Sequence, residues 1–309
     1  MMRTRKGHKV YPLTVAQKFH LYYLPFCPSA AVLNIGTSVT IEIEIDWDLL
    51  AKSINKAYAR SEGMRIRFAK DKEGNWYQYV ADPEGMKIEF VDFSKGTMEE
   101  AESTMQQWTT VPFKMEDSQM SRIVMIQMPD GFNGIYFLVH HMIADAQSLI
   151  CFMKDIIELY CNEKYEGVPY PKDMASYIDQ LKKDLAYEAG SKAQLRDIEF
   201  FQREIEKGEP IYNGIHGTDK LEAARAMFKN PKLRTAFNAS DDTKSALDIF
   251  HLEADPTKRL MDFCEKYHVS LACLLLMGLR TYFQKMNGFE DVSINNAIAR
   301  RATLKEKKA

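Results

Sequence analysis

Ile135-Tyr136-Phe137-Leu138-Val139-His140-His141-Met142-Ile143-Ala144-Asp145-Ala146-Gln147-Ser148 is the stretch whose reading decides the fold. Its apolar start predicts a strand that ends in two histidines, and Asp145 is placed to open the helix that follows. Successive strand side chains point to opposite faces, so His140 and His141 cannot serve one centre. That argues against a metal site, which takes three or four ligands from one side, and His20, His216, His251 and His268 are scattered through the chain. A general base needs only one imidazole, held in one tautomer with a pKa near the working pH. Asp145 then either orients that base or simply caps the helix, where a carboxylate gains from unpaired N–H groups and the helix dipole. Spacing alone leaves the catalytic reading and a pair of ordinary sheet histidines equally open.

Working outward, Pro129-Asp130-Gly131 marks a turn, and a partner strand is expected at 121–128 before it. Beyond Asp145, a helix to about Tyr160 carries Leu149, Phe152, Ile156 and Leu159 on one side. Thr14 to Leu24 has helical spacing and stops at Pro25. Val39, Ile41, Ile43 and Ile45 alternate with Thr40, Glu42 and Glu44, which predicts a half-buried strand. Asp46 can cap a helix with Leu49, Leu50, Ile54, Ala57 and Tyr58 on one face. Shorter strands are expected at 64–69, 76–80 and 87–91, and Thr97 with Glu100 forms a capping box for a helix to about Trp108. Helices mixed with strands that need not be sequential neighbours imply an α/β, more narrowly α+β, layer fold with a mixed sheet.

Pro169 and Pro171 mark a boundary, giving two domains, 1–170 and 171–309. In the second, 173–207 is charged and helical, and periodicity fades between Gly208 and Ser245. A strand at 247–253, a helix capped near Asp255, an apolar helix over 270–285 and a strand at 291–298 follow.

Bulk properties exclude more than they select. A formal net charge of -2 gives no general attraction to nucleic acid or anionic membrane. The five cysteines (27, 151, 161, 264 and 273) form no C-x-x-C pair, so reduced thiols in a cytoplasmic protein are expected. The apolar run Leu271 to Leu279 is too short to span a bilayer. There is no G-x-S-x-G elbow, Walker A loop, G-x-G-x-x-G or H-E-x-x-H.

The segment His140-His141-Met142-Ile143-Ala144-Asp145 resembles the HHxxxDG motif of condensation domains of nonribosomal peptide synthetases and of the wider chloramphenicol acetyltransferase-like acyltransferases. Tyr11-Pro12-Leu13-Thr14-Val15-Ala16-Gln17 resembles the family's S-x-A-Q segment, and Arg60-Ser61-Glu62-Gly63-Met64-Arg65-Ile66-Arg67-Phe68 resembles R-H-E-x-L-R-T-x-F. The resemblance implies two similar lobes in a V with a tunnel between them, the first lobe carrying the HHxxxD motif. It implies His141 as catalytic base or substrate-positioning group, supported by an Asp145–Arg65 ion pair, with His140 a core residue on the other face. Gln17, Ala146 and Ser148 are then expected beside the tunnel. The implied reaction passes an acyl or aminoacyl group from a pantetheine thioester, on coenzyme A or a carrier protein, to an amine or alcohol. No permanently bound cofactor, nucleic acid or membrane is implied.

Two departures accompany the match. Ala146 stands where the family has glycine, and the second lobe, in which Asp291 to Arg301 resembles a strand and an Arg-containing turn, runs out at Ala309. An incomplete second lobe, with self-association or a completing chain, is the expectation. A catalytically inactive module that docks a carrier protein or another partner is the alternative function.

Overall fold

The computed structural model describes residues 4–208 apart from Pro28, residues 215 and 249–288, and residues 292, 294 and 296. They fall into two compact units divided between Leu195 and Arg196.

The first unit is built on a four-stranded sheet. Its order is β4 (Asn34–Ile41), β9 (Asn133–His140), β8 (Ser121–Gln127) and β7 (Glu89–Asp92). β8 and β9 form an antiparallel hairpin, and Gly131 takes the left-handed conformation its turn requires, with φ of +85°. β7 lies parallel to β8, so the sheet is mixed, as expected. Every residue of β9 is buried, and its alternation feeds two cores. Ile135, Phe137 and Val139 join the cluster that holds Ile54 and Ala57 of α2 (Trp47–Arg60) and Leu149, Phe152 and Ile156 of α4 (Ala146–Lys164). Tyr136 and Leu138 join Ala101 and Met105 of α3 (Met98–Thr109) on the opposite face. Each large side chain so buried contributes about 1.5–3 kcal/mol.

A second, three-stranded sheet runs β3 (Tyr11–Pro12), β6 (Trp76–Val80) and β5 (Ile66–Lys70), and a short hairpin of β1 (Thr4–Arg5) and β2 (His8–Lys9) precedes it. α1 (Val15–Tyr23) starts at a capping box between Thr14 and Gln17, and Asp46, Thr97 and Asp145 cap α2, α3 and α4 through their side chains. All four helices lie where the apolar spacing predicts them.

The structure corrects one expectation in this unit. β4 spans 34–41 and not 39–45, and Val39, Ile41 and Ile43 are exposed. Full pairing with β9 sets that register, and among the described residues β4 is an edge strand with a partner on one side only. α5 (Tyr177–Glu188) lies within the first compact unit. Leu181 is fully buried, and Glu188 accepts hydrogen bonds from Val15 N at 2.8 Å and Lys18 Nζ at 3.3 Å.

α6 (Lys192–Glu206) crosses the division. Beyond it the described residues of the second unit include the two predicted helices, α7 (Ala254–Tyr267) and α8 (Leu271–Asn287), although Asp255 lies in the first turn of α7 and no side chain caps that helix. His268, at φ of +53°, ends α7, and Ser270 caps α8 through Cys273 N. The strand expected at 247–253 is not formed over 249–253: Phe250 is 87% exposed and the segment has no strand partner among the described residues. The expected strand at 291–298 and the aperiodic stretch 208–245 lie almost wholly outside the described residues.

Candidate functional site

The last residue of β9 and the one after it have opposite fates. His140 continues the face of Tyr136 and Leu138 and is 2% exposed. Its backbone N–H donates to Met120 O at 2.9 Å, its Nδ1 accepts from Met142 N at 3.2 Å, and its ring meets Phe113 edge-on at 6.2 Å. Burial, reinforced by the two neighbouring imidazoles His20 and His141, pushes its pKa down to about 4. His140 is therefore neutral near pH 7, and its Nδ1 serves as an acceptor that shapes the turn. His141 leaves the sheet: its N–H donates to Leu33 O at 2.7 Å, and the residue is exposed.

Three buried residues, Met142, Ile143 and Ala144, then anchor the turn in the core, and Ile143 N donates to His140 O at 3.0 Å. Asp145 closes the segment as the cap of α4, its Oδ1 accepting from Ser148 N at 2.8 Å and Ser148 Oγ at 2.6 Å. A second restraint comes from α1. Gln17 Nε2 donates to Met142 O at 3.2 Å, and the Gln17 and Gln78 carboxamides exchange hydrogen bonds at 2.9 and 2.8 Å. Tyr177 Oη donates to Gln78 Oε1 at 2.6 Å, so three distant segments converge on the carbonyl that follows His141. Burial raises the Tyr177 phenol well above its ordinary value and keeps it a donor.

Several sequence-predicted roles change here. The Asp145–Arg65 pair is not formed. Arg65 Nη1 donates to Ala81 O while Ala81 N donates back to Arg65 O at 2.9 Å, so the guanidinium is committed to the end of β6. Its Nε is buried with no hydrogen-bond partner, and burial lowers its pKa. The motif's other arginine makes the ion pair instead: Arg60 Nε lies 3.0 Å from Asp155 Oδ2 on α4. Gln17, expected to line a tunnel, is 5% exposed and spent on the network just described. Ala146 is exposed at the first position of α4, and Ser148 is half-buried against Asp145.

The residue that sequence reasoning missed is His20. Its ring centroid lies 4.9 Å from that of His141 with a 34° tilt, and burial followed by His141 lowers its pKa. The available signal was the spacing Gln17 to His20, which puts both on one side of α1. No group of three or more His, Cys, Asp or Glu side chains that could hold a metal ion occurs among the described residues. No helix among them is long and apolar enough to cross a membrane.

Comparison with known proteins agrees with this fold. The family model described as Condensation domain matches residues 7–309. Surfactin synthase subunit 1 of Bacillus subtilis (strain 168) is 24% identical over 309 residues, covering 96% of this chain and 8% of that protein. Bacitracin synthase 2 of Bacillus licheniformis is 23% identical over 292 residues, covering 94% of this chain and 10% of that protein. The chain thus spans a small part of the curated relatives it matches. Among solved structures, the first condensation domain of the CDA synthetase superposes with a TM-score of 0.68 at 18% identity, covering 92% of this chain and 63% of that one. A starter condensation domain of rhizomide synthetase, in complex with C8-CoA, superposes with a TM-score of 0.59 at 17% identity, covering 65% of this chain and 46% of that one. The fold shared with these structures is the chloramphenicol acetyltransferase-like α/β fold.

Proposed function

The chain belongs to the condensation-domain family, and on that premise we propose that it transfers an acyl or aminoacyl group from a pantetheine thioester to an amine or alcohol, with His141 as the catalytic base. The observation that carries this reading is the contrast between two adjacent imidazoles. His140 is sealed in the core and neutral, whereas His141 sits in the open at the position matching the family's motif.

The chemistry follows from the group. His141 takes a proton from the acceptor nitrogen or oxygen as that atom attacks the thioester carbonyl. The new C–N or C–O bond forms, the C–S bond breaks, and the proton ends on the departing pantetheine sulfur. A positioned base of this kind contributes about 10²–10⁴-fold. Asp145 supports the site through the helix it caps, and His140 through the turn its Nδ1 fixes; Arg65 supports only the fold of the motif, at the end of β6. Ala146, exposed at the start of α4, and Ser148, half-buried beside Asp145, are the proposed tunnel residues, and Gln17 acts through its hydrogen bond to Met142 O. The donor is carried by a carrier protein or by coenzyme A; the C8-CoA complex of the rhizomide neighbour favours testing both.

The test is product formation by the full chain, with an acyl-carrier protein or an acyl-CoA as donor and a free amine as acceptor, read by mass spectrometry. His141→Ala should lower turnover about 10²–10⁴-fold while leaving donor binding within a factor of two. Turnover untouched by that change overturns the assignment. Donor binding without turnover in the native chain points to the inactive docking module instead.

A further inference from the structure

His20 is not part of any motif read from the sequence, yet it is the side chain whose ring lies against His141. Its placement is built in several steps. Thr14 and Gln17 cap each other and fix where α1 begins. Gln17 is then the buried residue that ties α1 to the turn after β9, through Met142 O. One turn later on the same side comes His20. The hydrogen bond that aligns α1 with the turn therefore also sets the distance between the two imidazoles, 4.9 Å between centroids. The carbonyl of His20 is in use as well, accepting from Leu24 N where α1 ends.

We propose that His20 is a positioning residue for His141: its ring forms one wall against which the exposed imidazole packs, limiting the orientations from which His141 meets the acceptor. This rests on the assignment of His141 as the base. His141 is anchored by its backbone to Leu33 O, but that bond leaves both side-chain torsions open. An exposed imidazole without a wall samples several rotamers, of which one aims its basic nitrogen productively. Offset or tilted ring pairs of this separation favour one geometry by a few-fold to about tenfold in population.

His20 suits the role because it stays uncharged. Burial lowers its pKa, and a positive His141 lowers it further, so the wall does not compete for the proton that His141 takes. The third imidazole nearby, His140, is held neutral for the same reason and faces the other side of the strand. Phe19, which meets His20 edge-on at 6.1 Å, flanks the pair from the exposed side of α1.

The test uses the full chain and three proteins: native, His20→Ala and His20→Phe. Phenylalanine keeps a flat aromatic face but cannot titrate or donate. With turnover assayed as above, His20→Ala should lower kcat about tenfold with KM unchanged within a factor of two, and His20→Phe should restore at least a third of native kcat. In parallel, NMR of the His141 side chain, assigned by its loss in His141→Ala, should report one ring orientation in the native and His20→Phe proteins and averaging in His20→Ala. A His141 ring equally ordered in all three overturns the proposal, as does a kcat indifferent to His20→Ala. If the native chain gives no turnover with any donor, the assignment of His141 as base fails, while the NMR comparison still decides whether His20 orders that ring.

Discussion

Phe152 on α4 and Leu275 on α8 come from helices that look alike in sequence, with long apolar side chains at helical spacing, yet Phe152 is 1% exposed and Leu275 is 58% exposed. The difference runs through the two units. In the first, strands supply a flat surface on both sides, so α2, α3 and α4 each have something to cover. Among the described residues of the second, only Cys264 and Asn287 are buried, although α8 contains the most apolar run in the chain. Apolar spacing makes a helix with one sticky face; a core exists only where other elements meet that face. The candidate site sits where that condition is best met, at the end of a strand buried along its whole length.

Phe152→Ala gives the largest expected effect. Phe152 packs edge-on against Phe137 at 6.2 Å, and its truncation should destabilise the first unit by about 3–5 kcal/mol. Urea unfolding followed by tryptophan fluorescence reads this, since Trp47, Trp76 and Trp108 all lie in that unit. A loss below about 1 kcal/mol would mean that this core is not the tightly filled interior described above.

The next effect comes from His140, whose burial belongs to the same unit. Unfolded, the imidazole titrates near 6.5; folded, it titrates at about 4. Between those values the unfolded chain holds the extra proton, so this stabilisation is complete above the unfolded pKa and is lost as pH falls toward the folded one. Between pH 7 and pH 5 the loss should be about 2 kcal/mol. Urea midpoints at the two pH values measure it, and in His140→Asn, which cannot titrate, that part of the slope should vanish. An unchanged slope would show that His140 is wetter than its surroundings suggest.

How much was legible beforehand follows the same division. The caps at Asp46, Thr97 and Asp145 and the β8–β9 hairpin were readable because each is a local signal, a side chain satisfying backbone groups within one turn. The opposite facing of His140 and His141 needed only the period of a strand. The register of β4 was not readable, since the pairing of Asn34 with His140 is a contact across most of the unit and alternation fits either face. Arg65 went astray for a related reason: the motif names two arginines but not their partners, and the backbone exchange with Ala81 depends on where β6 ends. Tyr177 was invisible because it meets the motif from a distant segment, and for His20 the spacing from Gln17 told which side of α1 it shares but not what that side meets. The anchoring of α5 was equally hidden, since Leu181 is buried by residues far from it in sequence.

The smallest expected effect is the sharpest check on the comparison. Leu275→Ala removes as many side-chain carbons as many core truncations, but most of that side chain is in water, so there is little transfer free energy to lose and no cavity to open. Alanine is also the better helix former, which offsets part of what remains. The unfolding free energy should therefore stay within about 0.5 kcal/mol of native. A loss approaching that of Phe152→Ala would mean that in solution something covers the apolar face of α8. The same variant then serves as the reporter: if its penalty grows with protein concentration, the cover is a second copy of the chain, and if it is constant, the cover lies within the chain itself.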